Sequence, residues 1–254
     1  MGQTKAKLRR GAPAFGGWVM LGHPGVAEVM AGEGFDWLGI DLEHTGIDLP
    51  ALENICRGVR GSGVDLLVRL HSNDAVLAKR ALDLGAGGII VPNVCSAAEA
   101  EAAVRIAKYP PEGVRGAALA RCADYGRDFA GYFARHNDDV LVVVMLEHIS
   151  AVRNVDEILD TPGLDATLIG PYDLSASMEL PGQLDHPDVR SAQQRLLDAC
   201  ARHNVPAGIH VVPVDRAQVE ERVRQGFRFM ALGIDTQFLM HGCRTMLGTA
   251  QKGP

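Results

Sequence analysis

The sequence predicts a (β/α)8 barrel, and three observations carry that prediction. Eight short apolar runs read as buried parallel strands, each followed by a stretch with helical periodicity. Several of these stretches close on Gly34, Gly61, Gly85 or Asn204, residue types that adopt the left-handed turn ending a helix. The length, 254 residues, matches the roughly 250 that one such barrel takes, so residues 1–254 are expected to form one barrel domain.

The elements follow in order. Strand one is expected over 14–20, with a helix over 23–33. Its connection, Leu21-Gly22-His23-Pro24-Gly25, does not fit G-x-G-x-x-G, which counts against a doubly wound sheet with a dinucleotide site. Strand two (36–43) runs out through Ile40-Asp41-Leu42-Glu43-His44 into a helix over 51–61. Strand three (65–71) carries Arg69 and His71 at its end and precedes a helix over 74–84. Strand four (88–92) leads to a helix over 97–107. Residues 109–138 then form a long insertion, a length that in compact domains serves function or a subunit contact. Strand five (139–147) ends on Glu147 and precedes a helix over 151–160. Strand six (165–170) opens into the loop Gly170-Pro171-Tyr172-Asp173 and a short helical turn, with a longer helix over 188–203. Strand seven (206–212) carries His210, a helix covers 214–225, and strand eight (227–234) is followed by Asp235. The last helix, 236–249, is rich in Met and Leu and suits packing on a partner chain.

Composition excludes several classes. A net charge of −6 with no basic run argues against nucleic acid as a partner. No apolar stretch approaches the roughly 20 residues of a membrane span, so no membrane partner is expected. The N-terminus is charged without an apolar segment behind it, and no signal peptide is read there. Cysteines 56, 95, 122, 200 and 243 are scattered without a Cys-x-x-Cys, as reduced thiols of a cytoplasmic protein would be.

The chemistry is expected at the C-terminal ends of the strands. Glu147 and Asp173 break two successive apolar runs there, and two carboxylates are half of an oxygen-rich metal site. Water and a chelating 2-oxo acid would complete an octahedral ion, which would stabilise an enolate as a Lewis acid. The ordinary alternative is a pair of core acids in ion pairs. Arg69 ends an apolar strand and suits a developing oxyanion, unless it serves a structural ion pair with a neighbouring acid. Alternation sends Asp41 and Glu43 to one face and His44 to the other, unless the strand has already turned; His44 is the candidate acid/base. His71, His148 and His210 share rim positions and are expected to be structural. The amides from Gly170 to Asp173 open a helical turn and form a candidate carboxylate cradle. The lysines, Lys5, Lys7, Lys79, Lys108 and Lys252, all fall outside the expected strands, so an aldolase built on this chain would use metal and not a Schiff base.

These residues resemble the HpcH/HpaI class II, pyruvate-dependent aldolases along nearly the whole chain. The resemblance rests on Asp41-x-Glu43-His44, Val68-Arg69, Gly85–Pro92, Tyr109–Gly116, Arg121-x-x-x-Tyr125-Gly126, Glu147 with Ala151–Ile158, and Gly170-Pro-x-Asp-Leu-Ser175. It implies a hexamer, a trimer of dimers, with the last helix exchanged between subunits. It also implies Mg2+, Mn2+ or Co2+ on Glu147 and Asp173, Arg69 on the keto oxygen, the amides of Gly170 to Asp173 on the carboxylate, and His44 moving protons. Asp83 would align His44 from the adjacent subunit, a role that only the resemblance gives it. The implied reaction is aldol cleavage of a 4-hydroxy-2-oxo acid to pyruvate and an aldehyde. One departure stands out: the family pattern is Gln-x-Glu, whereas this chain reads Met145-Leu146-Glu147-His148. Oxaloacetate decarboxylation or condensation, and a barrel that binds a 2-oxo acid without turnover, are the alternative readings.

Overall fold

The apolar runs close into a parallel barrel in sequence order, with the last strand returning to pair with the first. The strands are β1 (Ala14–Val19), β2 (Trp37–Asp41), β3 (Asp65–Arg69), β4 (Gly88–Val91), β5 (Leu141–Leu146), β6 (Ala166–Ile169), β7 (Gly208–His210) and β8 (Phe229–Ile234). This computed structural model describes residues 2–211 and 214–251; Val212, placed at the end of strand seven from sequence, and Lys252 lie outside them. Helix α1 (Gln3–Arg9) precedes β1, and helices follow the strands as α2 (Pro24–Gly32), α3 (Leu49–Gly58), α4 (Ala75–Asp83), α5 (Ala97–Ala107) and α6 (Phe129–Asp139). They continue as α7 (Ile149–Arg153), α8 (Val155–Leu159), α9 (Pro171–Ser177), α10 (Pro187–Arg202), α11 (Arg216–Gln225) and α12 (Asp235–Gln251). Among the described residues no helix is long and apolar enough to cross a membrane.

Strand alternation sorts the core into two layers. On β5, Val142, Val144 and Leu146 face the helices, while Leu141, Val143 and Met145 fill the barrel. The interior is dominated by rings. Trp37 stacks on Phe229 with centroids 4.3 Å apart, and Trp18 meets Trp37 edge-on at 5.9 Å. Glycines make the room: a Cβ on Gly16 would fall inside the Trp37 ring, and one on Gly39 would lie 2.7 Å from Trp18. Burying each ring stabilises by roughly 3 kcal/mol, and the Trp18 ring becomes the floor of the barrel mouth.

The N-terminal decamer, read from sequence only as charged, forms α1 and closes the opposite end of the barrel. Lys5 is buried there, donating to the Val140 carbonyl at 2.6 Å and to Asp165. Burial lowers the Lys5 pKa against the opposing pull of Asp165. The helix expected over 151–160 is broken into α7 and α8 at Asn154, whose side chain bonds the Cys95 carbonyl at 2.8 Å.

The insertion is more ordered than its length suggested. It holds a 3-10 turn at Arg121–Gly126 and then α6. Its anchor is Arg115, whose fully buried guanidinium bonds Asp83 at 2.6 Å and the Tyr132 hydroxyl at 3.0 Å and lies over the Tyr109 ring. His136 is held in this cluster: its Nε2 lies 2.8 Å from both the Ala107 carbonyl oxygen and Arg115 Nη1, and its Nδ1 is 3.3 Å from the same Nη1. Burial, reinforced by the Arg115 charge, lowers the His136 pKa to about 4. The folded state therefore prefers neutral His136. That stability is full above the ordinary value of 6.5 and is lost as pH falls towards about 4. Urea unfolding between those limits should show stability falling with acidification, and His136→Gln should flatten the slope by up to about 1.4 kcal/mol per pH unit. An unchanged slope would mean that His136 titrates normally.

Candidate active site

The strand ends gather most of the singled-out residues at one mouth. Strand β2 stops at Asp41, so Glu43 and His44 lie in the following loop, and simple alternation does not extend to them. Asp41 is completely buried. Its carboxylate accepts Nε of Arg69 at 2.9 Å and Nη2 at 2.7 Å, a two-point pair that fixes the guanidinium plane. The same carboxylate accepts the amides of Glu43 at 3.0 Å and His44 at 3.3 Å, which shapes the loop. Burial by itself raises the Asp41 pKa, but Arg69 and the two amides outweigh it and hold the carboxyl below its ordinary range. Arg69 is thus both half of an ion pair and part of the mouth: it is 12% exposed and lies 4.6 Å over the Trp18 ring. The sequence marks Asp41 by its place in the alternation and in the Asp41-x-Glu43-His44 motif, and suggests an acid paired with Arg69 without identifying Asp41 as that acid.

Glu147 is the next inward position after Met145 and is 4% exposed. One oxygen accepts the Asn93 amide at 2.8 Å, which Asn93 presents from a left-handed backbone, φ 54°. The carboxylate also passes closely over Gly170: a Cβ there would sit 2.6 Å from Glu147 Oε2, so residue 170 must lack a side chain. Burial first, then the charges of Asp173 and Glu43, raise the Glu147 pKa to about 7, against the Asn93 amide and Arg69. Glu43 is likewise raised, by burial and then by its acidic neighbours Asp41 and Asp173, with Arg69 and His44 opposing. Three carboxylates therefore act on one another with Arg69 as the nearby cation, and Arg69 is already committed to Asp41.

Asp173 lies in the first turn of α9, next to Gly170. Pro171 contributes no N–H to the proposed cradle, which leaves Gly170, Tyr172 and Asp173 at the start of this helix. His44 is 57% exposed, with Nε2 3.5 Å from Glu43. A cavity of about 960 Å3 joins His44, Arg69, Met145, the stretch from Gly170 to Asp173, and His210. Among the described residues no group of three or more His, Cys, Asp or Glu side chains is gathered as a ready metal cage. Two carboxylates plus water and substrate is the arrangement the residues fit.

Several rim residues have other work. His148 Nδ1 accepts the Ser150 amide as the cap of α7, and His71 pairs with Ser72 on the surface. Asp235 accepts the amides of Met20 and Leu21 and ties α12 to β1. Asp83 ends α4 just before β4 begins, so it lies at the end of the barrel opposite the mouth, held by Arg115. His210 is the exception, because its buried Nε2 has no partner.

Comparison with known proteins gives the same picture. The family model described as HpcH/HpaI aldolase/citrate lyase matches residues 14–242. A 2-dehydro-3,6-dideoxy-6-sulfogluconate aldolase of Pseudomonas putida is 37% identical over 97% of this chain and 95% of its own length. A 5-keto-4-deoxy-D-glucarate aldolase of Escherichia coli is 34% identical over 98% of this chain and 96% of its own. The solved structure of an HpcH/HpaI aldolase/citrate lyase family protein from Burkholderia cenocepacia superposes with a TM-score of 0.93, at 32% identity, covering 99% of this chain and 100% of that one. A closed parallel barrel, acids gathered at its mouth and full-length likeness to named aldolases converge: this chain belongs to the HpcH/HpaI aldolase/citrate lyase family and is a carbon–carbon lyase.

Proposed function

We propose that this protein is a divalent-metal-dependent aldolase that cleaves a 4-hydroxy-2-oxo acid to pyruvate and an aldehyde. The observation that carries the reading is the placement of two acids at the barrel mouth: the buried Glu147 carboxylate passes over Gly170, and Asp173 stands in the first turn of α9 that begins there. Glu147 and Asp173 would hold Mg2+, Mn2+ or Co2+. Such an ion supplies Lewis acidity that stabilises negative charge on the substrate keto oxygen.

The chain's own residues do the rest. Arg69, immobilised by Asp41, points fixed donors at the developing enolate oxygen. The amides at the start of α9 receive the carboxylate. His44, through a water, takes the 4-hydroxyl proton as the C3–C4 bond breaks. The bond's electron pair becomes the enolate, the aldehyde leaves, and protonation at C3 gives pyruvate. Because Asp83 sits at the far end of its own barrel, a role beside His44 would need Asp83 from a neighbouring subunit. A hexamer built as a trimer of dimers would supply it. The exposed Leu239, Met240, Met246 and Leu247 of α12 suit exchange of that helix between subunits. Nucleic acid and membrane are not proposed as partners, and the cytoplasm is the proposed compartment. Met145, lining the cavity where the family pattern has Gln, favours oxaloacetate decarboxylation or condensation as the second reading.

The test is NMR of pyruvate in D2O with chelated, desalted protein, before and after adding Mg2+, Co2+ or a low level of Mn2+. Loss of methyl protons only with metal is expected. Absence of exchange with every metal, while oxaloacetate is consumed, would transfer the assignment to the second reading; no reaction with either would leave a binding barrel. Borohydride added with pyruvate should trap no adduct. The described lysines agree with this: Lys5 lies under the barrel, Lys7 and Lys108 pair with Asp36 and Glu112, and Lys79 is exposed.

A further inference from the structure

Strand β7 reads Gly208-Ile209-His210. Gly208 faces the barrel interior, where an added Cβ would lie 2.9 Å from the Phe229 ring, and Ile209 packs in the outer core. Alternation then turns His210 inward, one layer above Phe229 and opposite the small Ala231 of β8. Among the described residues β6 pairs with the short β7 at Ile169 and Ile209. The imidazole lines the large cavity together with the apolar side chains of Trp18, Met145, Leu168 and Ile234, with Arg69, and with polar side chains of α10 and α11 such as Gln193 and Gln218. Its Nε2 is buried without any hydrogen-bond partner. Buried polar atoms are ordinarily paired, and one that is not costs free energy that a ligand's hydrogen bond would recover.

The electrostatics define what such a ligand would be. Burial, aided by the Arg69 charge, lowers the His210 pKa to about 4, so the ring is neutral at physiological pH. A neutral ring does not recruit a carboxylate or phosphate by charge. It exchanges one hydrogen bond with a group that can both give and accept, and a hydroxyl is that group. Within β7 itself, where Gly208 has no side chain and Ile209 is apolar, His210 is the residue that brings a polar side chain to this cavity. Arg69 and the α9 amides account for the pyruvate half in the function proposed above, on which this inference rests. The aldehyde half is left to the β7 side.

We propose that His210 is a specificity-determining residue whose unpartnered Nε2 hydrogen-bonds a hydroxyl on the aldehyde half of the substrate. The site thereby selects 2-hydroxyaldehydes over unsubstituted ones. A pocket built to bond a hydroxyl discriminates against the analogue lacking it, because the pocket's own polar atom is then left unpaired.

The test uses the full-length protein with pyruvate, Mg2+ and two aldehydes of equal carbon count, glycolaldehyde and acetaldehyde. The readout is the ratio of their kcat/KM values for aldol addition. His210→Leu should lower the glycolaldehyde-to-acetaldehyde ratio by about tenfold or more, while His210→Gln, which keeps a hydrogen-bonding group, should retain part of it. His210→Phe preserves the ring volume without the nitrogens and should lower the ratio likewise if the leucine variant does not fold. In the wild-type enzyme loaded with pyruvate, the His210 imidazole 15N signal should move on adding glycolaldehyde and not on adding acetaldehyde. A ratio within twofold of wild type in the apolar variants, or an unmoved 15N signal, overturns the assignment of His210 alone, provided that wild-type protein exchanges pyruvate protons. Absence of that exchange in wild type overturns the aldolase reading itself, and this inference with it.

Discussion

Glu147→Gln is expected to abolish metal-dependent turnover, by on the order of 10^3-fold or more, while the barrel stays folded. Gln has the shape of Glu and can still accept the Asn93 amide, so the local geometry over Gly170 survives. What it lacks is the negative charge that would hold a divalent ion beside Asp173. The same substitution has a second consequence in the metal-free protein, and its sign is opposite. Folding raises the Glu147 pKa from 4.5 to about 7, so the folded state favours the protonated form. The group's contribution is full below 4.5 and is lost as pH rises through about 7. Relative to wild type, metal-free Glu147→Gln should therefore gain thermal stability as pH increases from 5 to 8. Adding Mg2+ or Mn2+ at pH 8 should raise the melting temperature of wild type and leave the variant unmoved. Full activity in the variant, or an equal metal-induced shift, would remove Glu147 from metal binding.

The charge that makes Glu147 informative was legible in the sequence because an acid ending a run of Val and Leu has few ordinary explanations. Strand positions were legible for the same reason: fully buried parallel strands leave continuous apolar runs, and β1 to β8 fall inside those runs. Gly34, Gly61, Gly85 and Asn204 all adopt positive φ, as their place after helical periodicity implied. What stayed hidden depends on contacts between distant segments. Asp41 looked like one more acid in an alternating stretch, and only the register between β2 and β3, which sets it against Arg69, shows that it organises the mouth. Helix α1 is short and charged, and its role appears only when Lys5 reaches Val140 and Asp165 across more than half the chain. Arg115, Tyr132 and His136 are spread over an insertion whose order comes from a buried cluster and not from periodicity. His210 carries no sequence signal that separates an orphaned ring from a bonded one; its missing partner is a fact of packing.

Asp41→Asn is expected to cost both stability and activity, and Arg69 is the reason. The Asp41 carboxylate is fully buried and answers two guanidinium nitrogens and two backbone amides at once. Asn keeps the volume but turns one acceptor into a donor facing Arg69, leaving a largely buried cation without its counter-charge. Breaking a buried pair from one side destabilises by about 3 kcal/mol or more, which urea unfolding will read directly. Arg69 would then turn towards Glu43, already 3.5 Å away, and leave the position from which it would meet the enolate oxygen. Misplacing a positioned group by about an ångström costs on the order of 10^2-fold in rate. Arg69→Lys supplies the complementary test, because an ammonium cannot make the two-point contact with Asp41 and should lose activity while sparing more of the stability. If Asp41→Asn kept wild-type stability and turnover, the Asp41–Arg69 pair would be a surface convenience and the oxyanion role would need another donor. If stability fell but turnover at saturating substrate did not, Arg69 would be structural, and the charge developing on the keto oxygen would have to be met without it.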